Sequence, residues 1–182
     1  MKTLVVHPKD SSTSFLENIY KPIINKTVIT GGVSKKELID KIEEHDRVIM
    51  MGHGSPYGLF SMGLFEDKGG YIIDGSFITV LKKKNNSFFI WCNADKFVEH
   101  YKLKGFYSGM FISEITEAYI FGFRDVKQDI IDESNYGFSN ILSEVINNEQ
   151  EIAYNHVLRS YSVIAKHNPI ASYNHNRLYL SK

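Results

Sequence analysis

Short, wholly apolar runs alternate with stretches of helical periodicity through the first half of the chain. Leu4, Val5 and Val6 define a strand over residues 3–6, Val28 and Ile29 a second over 27–30, Val48 to Met51 a third, and Phe88, Phe89 and Ile90 a fourth within 87–91. Between them, apolar residues recur at intervals of three and four, the spacing that lines one face of a helix. Ser14 is placed to cap a helix carrying Phe15, Leu16, Ile19 and Ile23, which Pro22 ends. Ser34 and Glu37 form a Ser-x-x-Glu capping box ahead of Leu38, Ile39 and Ile42. Further helices are expected over residues 76–84 and from Asn93 through Lys102. Strands with no polar face, separated by helices, imply an α/β fold. Its central sheet is mostly parallel and covered on both faces, a three-layer α/β/α sandwich.

Leu59-Phe60 and Tyr71-Ile72-Ile73 flank a turn-rich centre that contains Glu66, Asp67, Lys68 and Gly69-Gly70, so a small hairpin is expected over residues 58–74. Beyond Gly105 the pattern predicts helices over 113–121, 137–147 and 149–164, and a late strand within 170–180. A chain of 182 residues suits a single domain, here a core over about 1–120 and a helical part over about 121–182.

Composition narrows the function. Lys and Arg number 21 and Asp and Glu 21, a balance that gives no long-range field to attract nucleic acid or an anionic membrane. The Lys82-Lys83-Lys84 run reads as a solvated helix end. The apolar run at Leu4 is too short for a signal peptide or a membrane span, so a cytoplasmic protein is expected. The 7 histidines are scattered singly, without the pairings of a metal site. Neither Gly-x-Ser-x-Gly nor a phosphate-binding Gly-Lys-Ser/Thr occurs. The 1 cysteine, Cys92, has no partner for an internal disulfide and is either a small core residue or a reactive thiol.

Position favours reactivity. Gly52-His53-Gly54-Ser55 follows the third strand, and Cys92 ends the fourth; functional groups gather at such carboxyl ends in parallel sheets. If the two strands are neighbours, the imidazole and the thiol emerge about 5 Å apart at one sheet edge. His53 would then share the thiol proton, and the helix opened by Asn93 and Ala94 would favour the thiolate. Gly54 lets its backbone N–H approach a substrate and, with the N–H of Cys92, bind a developing oxyanion. Asp95 reads as an acid at a positive helix end rather than a third catalytic member.

Two segments carry a resemblance to a known family. Residues 47–59, Arg-Val-Ile-Met-Met-Gly-His-Gly-Ser-Pro-Tyr-Gly-Leu, and 87–92, Ser-Phe-Phe-Ile-Trp-Cys, are similar to the histidine and cysteine segments of the caspase-like cysteine peptidases, nearest the gingipain and CHAT branch. The resemblance covers roughly residues 1–120. It implies a caspase-like sandwich, a dyad of His53 and Cys92, an oxyanion site at Gly54 beside Ser55, and a protein or peptide substrate. No cofactor or metal is implied; a regulatory protein partner or a homodimer is. Residues 108–114, Ser-Gly-Met-Phe-Ile-Ser-Glu, resemble the loop that lines the family's specificity pocket, which would bring Ser113 and Glu114 to the site. Read without the family, Ser113 caps the next helix and Glu114 is its first-turn acid. Trp91 before the cysteine, with Asn93-Ala94 after it, departs from the small residues the family carries there. Trp91 either shapes the substrate pocket or marks the alternative, a catalytically silent module that binds a partner protein. A phosphate-binding domain using Gly31-Gly32 and Gly52-His53-Gly54 is a further alternative.

Overall fold

The computed structural model describes residues 1–8, 10–62 and 70–182. In chain order the strands are β1 (Thr3–Val6), β2 (Lys26–Ile29), β3 (Arg47–Met51), β4 (Gly54–Ser55), β5 (Gly58–Phe60), β6 (Tyr71–Ile73), β7 (Phe88–Ile90), β8 (Gly105–Ser108) and β9 (Leu178–Ser181). The helices are α1 (Glu17–Tyr20), α2 (Lys35–Glu43), α3 (Ile78–Leu81), α4 (Ala94–Tyr101), α5 (Ile115–Ile120), α6 (Gln128–Val145), α7 (Gln150–Ala165) and α8 (Pro169–His175).

Six strands form one sheet in the order β2-β1-β3-β7-β8-β9. All neighbouring pairs are parallel except β8 with β9, which closes one edge antiparallel. Side chains alternate between two cores. Leu4, Val6, Val48, Met50, Phe89 and Trp91 meet Leu38, Phe77 and Phe97 on one face. Val5, Ile49, Met51, Phe88 and Ile90 meet Ile19, Phe138, Val157 and Tyr161 on the other. Helices therefore cover both faces, which is why the runs Leu4–Val6, Val48–Met51 and Phe88–Ile90 are apolar on both sides. Among the described residues, no helix is long and apolar enough to cross a membrane.

The Ser34 box forms as its spacing predicts: its hydroxyl accepts from Glu37 N, and the Glu37 carboxylate accepts from Ser34 N. Other expectations shift. The first helix opens with a 3-10 turn, Ser14–Leu16, whose N-cap is Thr13 rather than Ser14, and ends at Tyr20. The helix expected over 76–84 shrinks to a 3-10 turn, Gly75–Phe77, and the short α3, with the Asp74 carboxylate accepting from Ser76 N. In place of a hairpin alone, β4, β5 and β6 make a three-stranded antiparallel sheet. Glu66, Asp67, Lys68 and Gly69 lie outside the described residues.

The largest corrections fall after Gly105. β8 is a core strand that its four residues were too few to announce. α6 starts nine positions before the expected Gly137, because Ser134 and Asn135 on its buried face break the apolar period. The expected late strand is mostly α8, which Asn168 caps by accepting from Ala171 N, with Pro169 in its first turn. Only Leu178–Ser181 is extended.

Candidate active site

β3 and β7 are hydrogen-bonded neighbours with Met51 opposite Ile90, and Gly52 N carries the ladder one step further to Ile90 O at 3.1 Å. His53 and Cys92 each follow two positions after those partners. Met51 and Ile90 face the same core, so strand parity sends the next odd and even positions, 53 and 92, to that face too. Both residues line one cavity with Phe15, Ile90, Phe111 and Ser113. It measures about 20 Å³, room for one water. Gly52 makes the exit from β3, at a φ of 137° that side chains with a Cβ rarely adopt.

His53 is held from the loop after β1. Its Nε2 lies 2.8 Å from Ser12 Oγ and 3.3 Å from Asp10 Oδ2. Ser12 has one hydroxyl proton and donates it to Asp10 Oδ1 at 2.7 Å, so towards His53 its oxygen accepts. Nε2 therefore carries the proton, and Nδ1 is the ring's free base. Partial burial opposes ionisation of Asp10. The hydrogen bonds from Ser12, the positive charge of His53 when its ring is doubly protonated, and the Thr13 and Ser12 N–H groups outweigh it, holding the carboxyl below its ordinary range. Asp10 and Ser12 are functional candidates that the sequence pattern did not single out. Their signal is the Asp-Ser-Ser-Thr turn directly after a core strand, which matters only once β1 is known to lie beside β3.

The thiol has a different surrounding from the one expected. Cys92 Sγ donates to Phe111 O at 3.3 Å and lies 3.9 Å from Glu117 Oε1. Burial pushes its pKa up to about 12, and the Glu117 carboxylate adds to the effect. The expected bias toward thiolate is thus reversed. The helix start does not offset this: Asn93 caps α4 from the left-handed region at φ 65°. Glu117 is itself fixed, accepting from Ser113 N at 2.8 Å, Ser113 Oγ at 3.2 Å and Glu114 N at 3.2 Å. The Cys92 N–H has no acceptor among the described residues.

Gly54 sits opposite Leu59 at a position flanked by hydrogen-bonded pairs, since Phe60 N donates to His53 O. Its own N–H is therefore not used by the β4–β5 ladder. A Cβ on Gly54 would stand 2.2 Å from Trp91 Cδ1, so only glycine fits. Trp91 is 2% exposed, and its indole N–H donates to Ser55 O at 3.1 Å. It is a buttress beneath the Gly54-Ser55 segment, packed in the core, more than a wall of a pocket. The Ser55 hydroxyl pairs with Tyr71 Oη at 2.8 Å, and the Asn93 amide points to Met110 Sδ at 3.9 Å, so neither side chain is directed at the thiol. Ser113 reaches the cavity; it precedes the helix cap, and Glu114 is the N-cap of α5. Asp95 is buried in the first turn of α4, with Oδ2 3.5 Å from Lys96 Nζ. Among the described residues, no three His, Cys, Asp or Glu side chains group as a metal ligand set.

These features define an α/β protein with an imidazole and a thiol at the carboxyl ends of adjacent parallel strands. No protein-family model matches the chain, and neither a curated protein nor a solved structure does.

Proposed function

We propose that the chain is a caspase-like cysteine peptidase, with His53 and Cys92 as its dyad. The observation that carries this reading is their common cavity, entered from neighbouring strands on one face of the sheet. The tautomer of His53 supports it, because Nδ1 is free to take the thiol proton while Asp10 and Ser12 steady the ring. In the reaction, Sγ leaves the Phe111 carbonyl, passes its proton to Nδ1 and attacks a peptide carbonyl. The N–H groups of Cys92 and Gly54 receive the oxyanion. The imidazolium then protonates the leaving amine, and water, activated by the same ring, hydrolyses the thioester. A cavity of about 20 Å³ is too small for a peptide carbonyl and its flanking atoms, so its lining must open further to admit substrate.

A second reading, a silent module that binds a partner protein, draws on the thiol as it stands, protonated against Phe111 and Glu117. Hydrolysis of a fluorogenic peptide library, varied on the amino side of the cut, separates the two. Turnover that both Cys92→Ala and His53→Ala abolish sustains the peptidase. A folded wild type that cleaves no member of the library favours the silent module.

A further inference from the structure

The Lys82-Lys83-Lys84 run does not stand alone in the fold. A recess of about 230 Å³ is lined by Lys82 and Lys84 from the end of α3 and by Lys102 and Lys104 from the link between α4 and β8, with Leu81 and Leu103 beside them. Lys84 and Lys104 precede the parallel strands β7 and β8. The recess therefore lies at the amino ends of the strands, at the opposite end of the sheet from His53 and Cys92. Its lining holds four lysines and no Asp or Glu. Leu81 and Leu103 are buried in the core, which fixes the base from which the lysine stems rise.

The lysines are not equivalent. Lys84 is tied down, donating Nζ to Glu43 O at 3.1 Å and to His45 O at 2.6 Å. Lys83, which does not line the recess, pairs with the Glu43 carboxylate at 3.4 Å. Among the described residues, the ammonium groups of Lys82, Lys102 and Lys104 have neither a hydrogen bond nor an ion pair. Lys82 and Lys102 are the C-caps of α3 and α4, where a cation suits the carbonyl end. That accounts for one charge at each helix, but not for Lys104 nor for the meeting of the two ends. Like charges around one recess repel, and no carboxylate in the lining offsets them.

We propose that this recess binds the phosphate chain of a small polyanion, a diphosphate or longer. Lysine meets an anion as a point charge, which suits compact phosphate groups in any orientation. Planar carboxylates are better matched by the fork of arginine, and the lining has none. A single phosphate would leave most of the cations unmatched, so the charge calls for at least two groups. With no Phe, Tyr, Trp or His in the lining, nothing is placed to stack on a base, and the phosphates are the part recognised. The site is independent of the peptidase reading.

The test titrates the full chain calorimetrically at low salt with tripolyphosphate, with orthophosphate and with ATP free of magnesium. Tripolyphosphate is expected to bind at least about tenfold more tightly than orthophosphate, and ATP as tightly as tripolyphosphate. Lys82→Gln with Lys104→Gln, both at exposed positions, should weaken tripolyphosphate at least about tenfold with an unchanged melting temperature. Lys127→Gln with Lys166→Gln removes the same charge from the ends of α6 and α7, and should leave the affinity within about twofold. Should the first pair disturb the fold, Lys102→Asn carries the test, because asparagine adopts the left-handed φ of 53° that Lys102 holds. It should weaken binding by about threefold or more. No binding of tripolyphosphate, equal affinity for orthophosphate, or an equal loss in both lysine pairs overturns the proposal. ATP binding at least about tenfold more tightly than tripolyphosphate overturns it in favour of a nucleotide site. Tighter binding of a short single-stranded oligonucleotide, at equal phosphate concentration, overturns it in favour of a nucleic-acid surface.

Discussion

The Cys92 thiol donates to the Phe111 carbonyl and faces the Glu117 carboxylate, so ionisation would place a negative charge among oxygens. Removing the Glu117 charge relieves one part of that cost. A charge about 4 Å away is worth from about 1 to about 4 kcal/mol between water and a partly shielded site, and each pKa step of 1.36 kcal/mol changes the thiolate fraction about tenfold. Glu117→Gln, which can still accept from Ser113 and Glu114, should therefore raise the rate of Cys92 alkylation by iodoacetamide at pH 8 by about tenfold or more. An unchanged rate would mean that burial alone holds the proton. His53 offers a second check at the same scale. The Ser12 proton is committed to Asp10, so correlation spectra of the neutral imidazole should show His53 protonated at Nε2; Asp10→Ala with Ser12→Ala should release a mixture of tautomers. A Nδ1-protonated ring in the wild type would remove the base from the proposed mechanism.

At the scale of elements, the exits from β3 and β7 organise the site, and much of this was legible from apolar runs alone. The continuous runs at 48–51 and within 87–91 identified central strands, and parity along them carries positions 53 and 92 to one face. The Ser34 and Glu37 spacing likewise announced its cap. What stayed hidden depends on contacts between distant segments. Trp91 reads locally as a bulky residue beside a nucleophile; only the folded chain brings its indole against Gly54. Asp10 and Ser12 reach the site from a loop whose polar residues carry no period, and Glu117 from the first turn of the short α5. α8 was disguised by its apolar content, although Asn168-Pro169 is a helix start in its own right. The Gly54 contact makes a direct prediction. With 2.2 Å to Trp91 Cδ1 and 2.7 Å to Gly58 O, an added methyl has to displace the indole or the β4–β5 turn. Gly54→Ala should cost about 1–3 kcal/mol, the range of an overpacked core, seen as a lower denaturation midpoint at constant slope. A midpoint equal to wild type would show that Trp91 is free to move and does not set the position of Gly54.

The core on the face that holds the candidate site takes in two tyrosines, Tyr20 and Tyr161, and the thiol packs against it. Cys92 is pushed up from 9.0 to about 12 and Tyr20 from 10.0 to about 12, in both cases first by burial; Tyr161, buried against Phe138, moves in the same direction. All three are acids whose neutral form the fold prefers. Well below pH 9 folded and unfolded chains hold these protons alike, and the groups leave stability at its full value. Above pH 9 the unfolded chain releases them first, binds fewer protons than the native one, and stability falls with rising pH. For Cys92 the loss between pH 9 and pH 10 is on the order of 1 kcal/mol, with the tyrosines adding to it as the pH climbs toward 12. Urea unfolding at pH 7, 9 and 10 should show a flat first interval and a declining second one. In Cys92→Ala, whose midpoint at pH 7 absorbs the packing change, the decline from pH 9 to 10 should shrink by about that amount. Parallel profiles for the two proteins would mean that the thiol ionises as readily in the fold as outside it. The small cavity that His53, Cys92 and Phe111 line would then already admit the solvent that a thiolate needs.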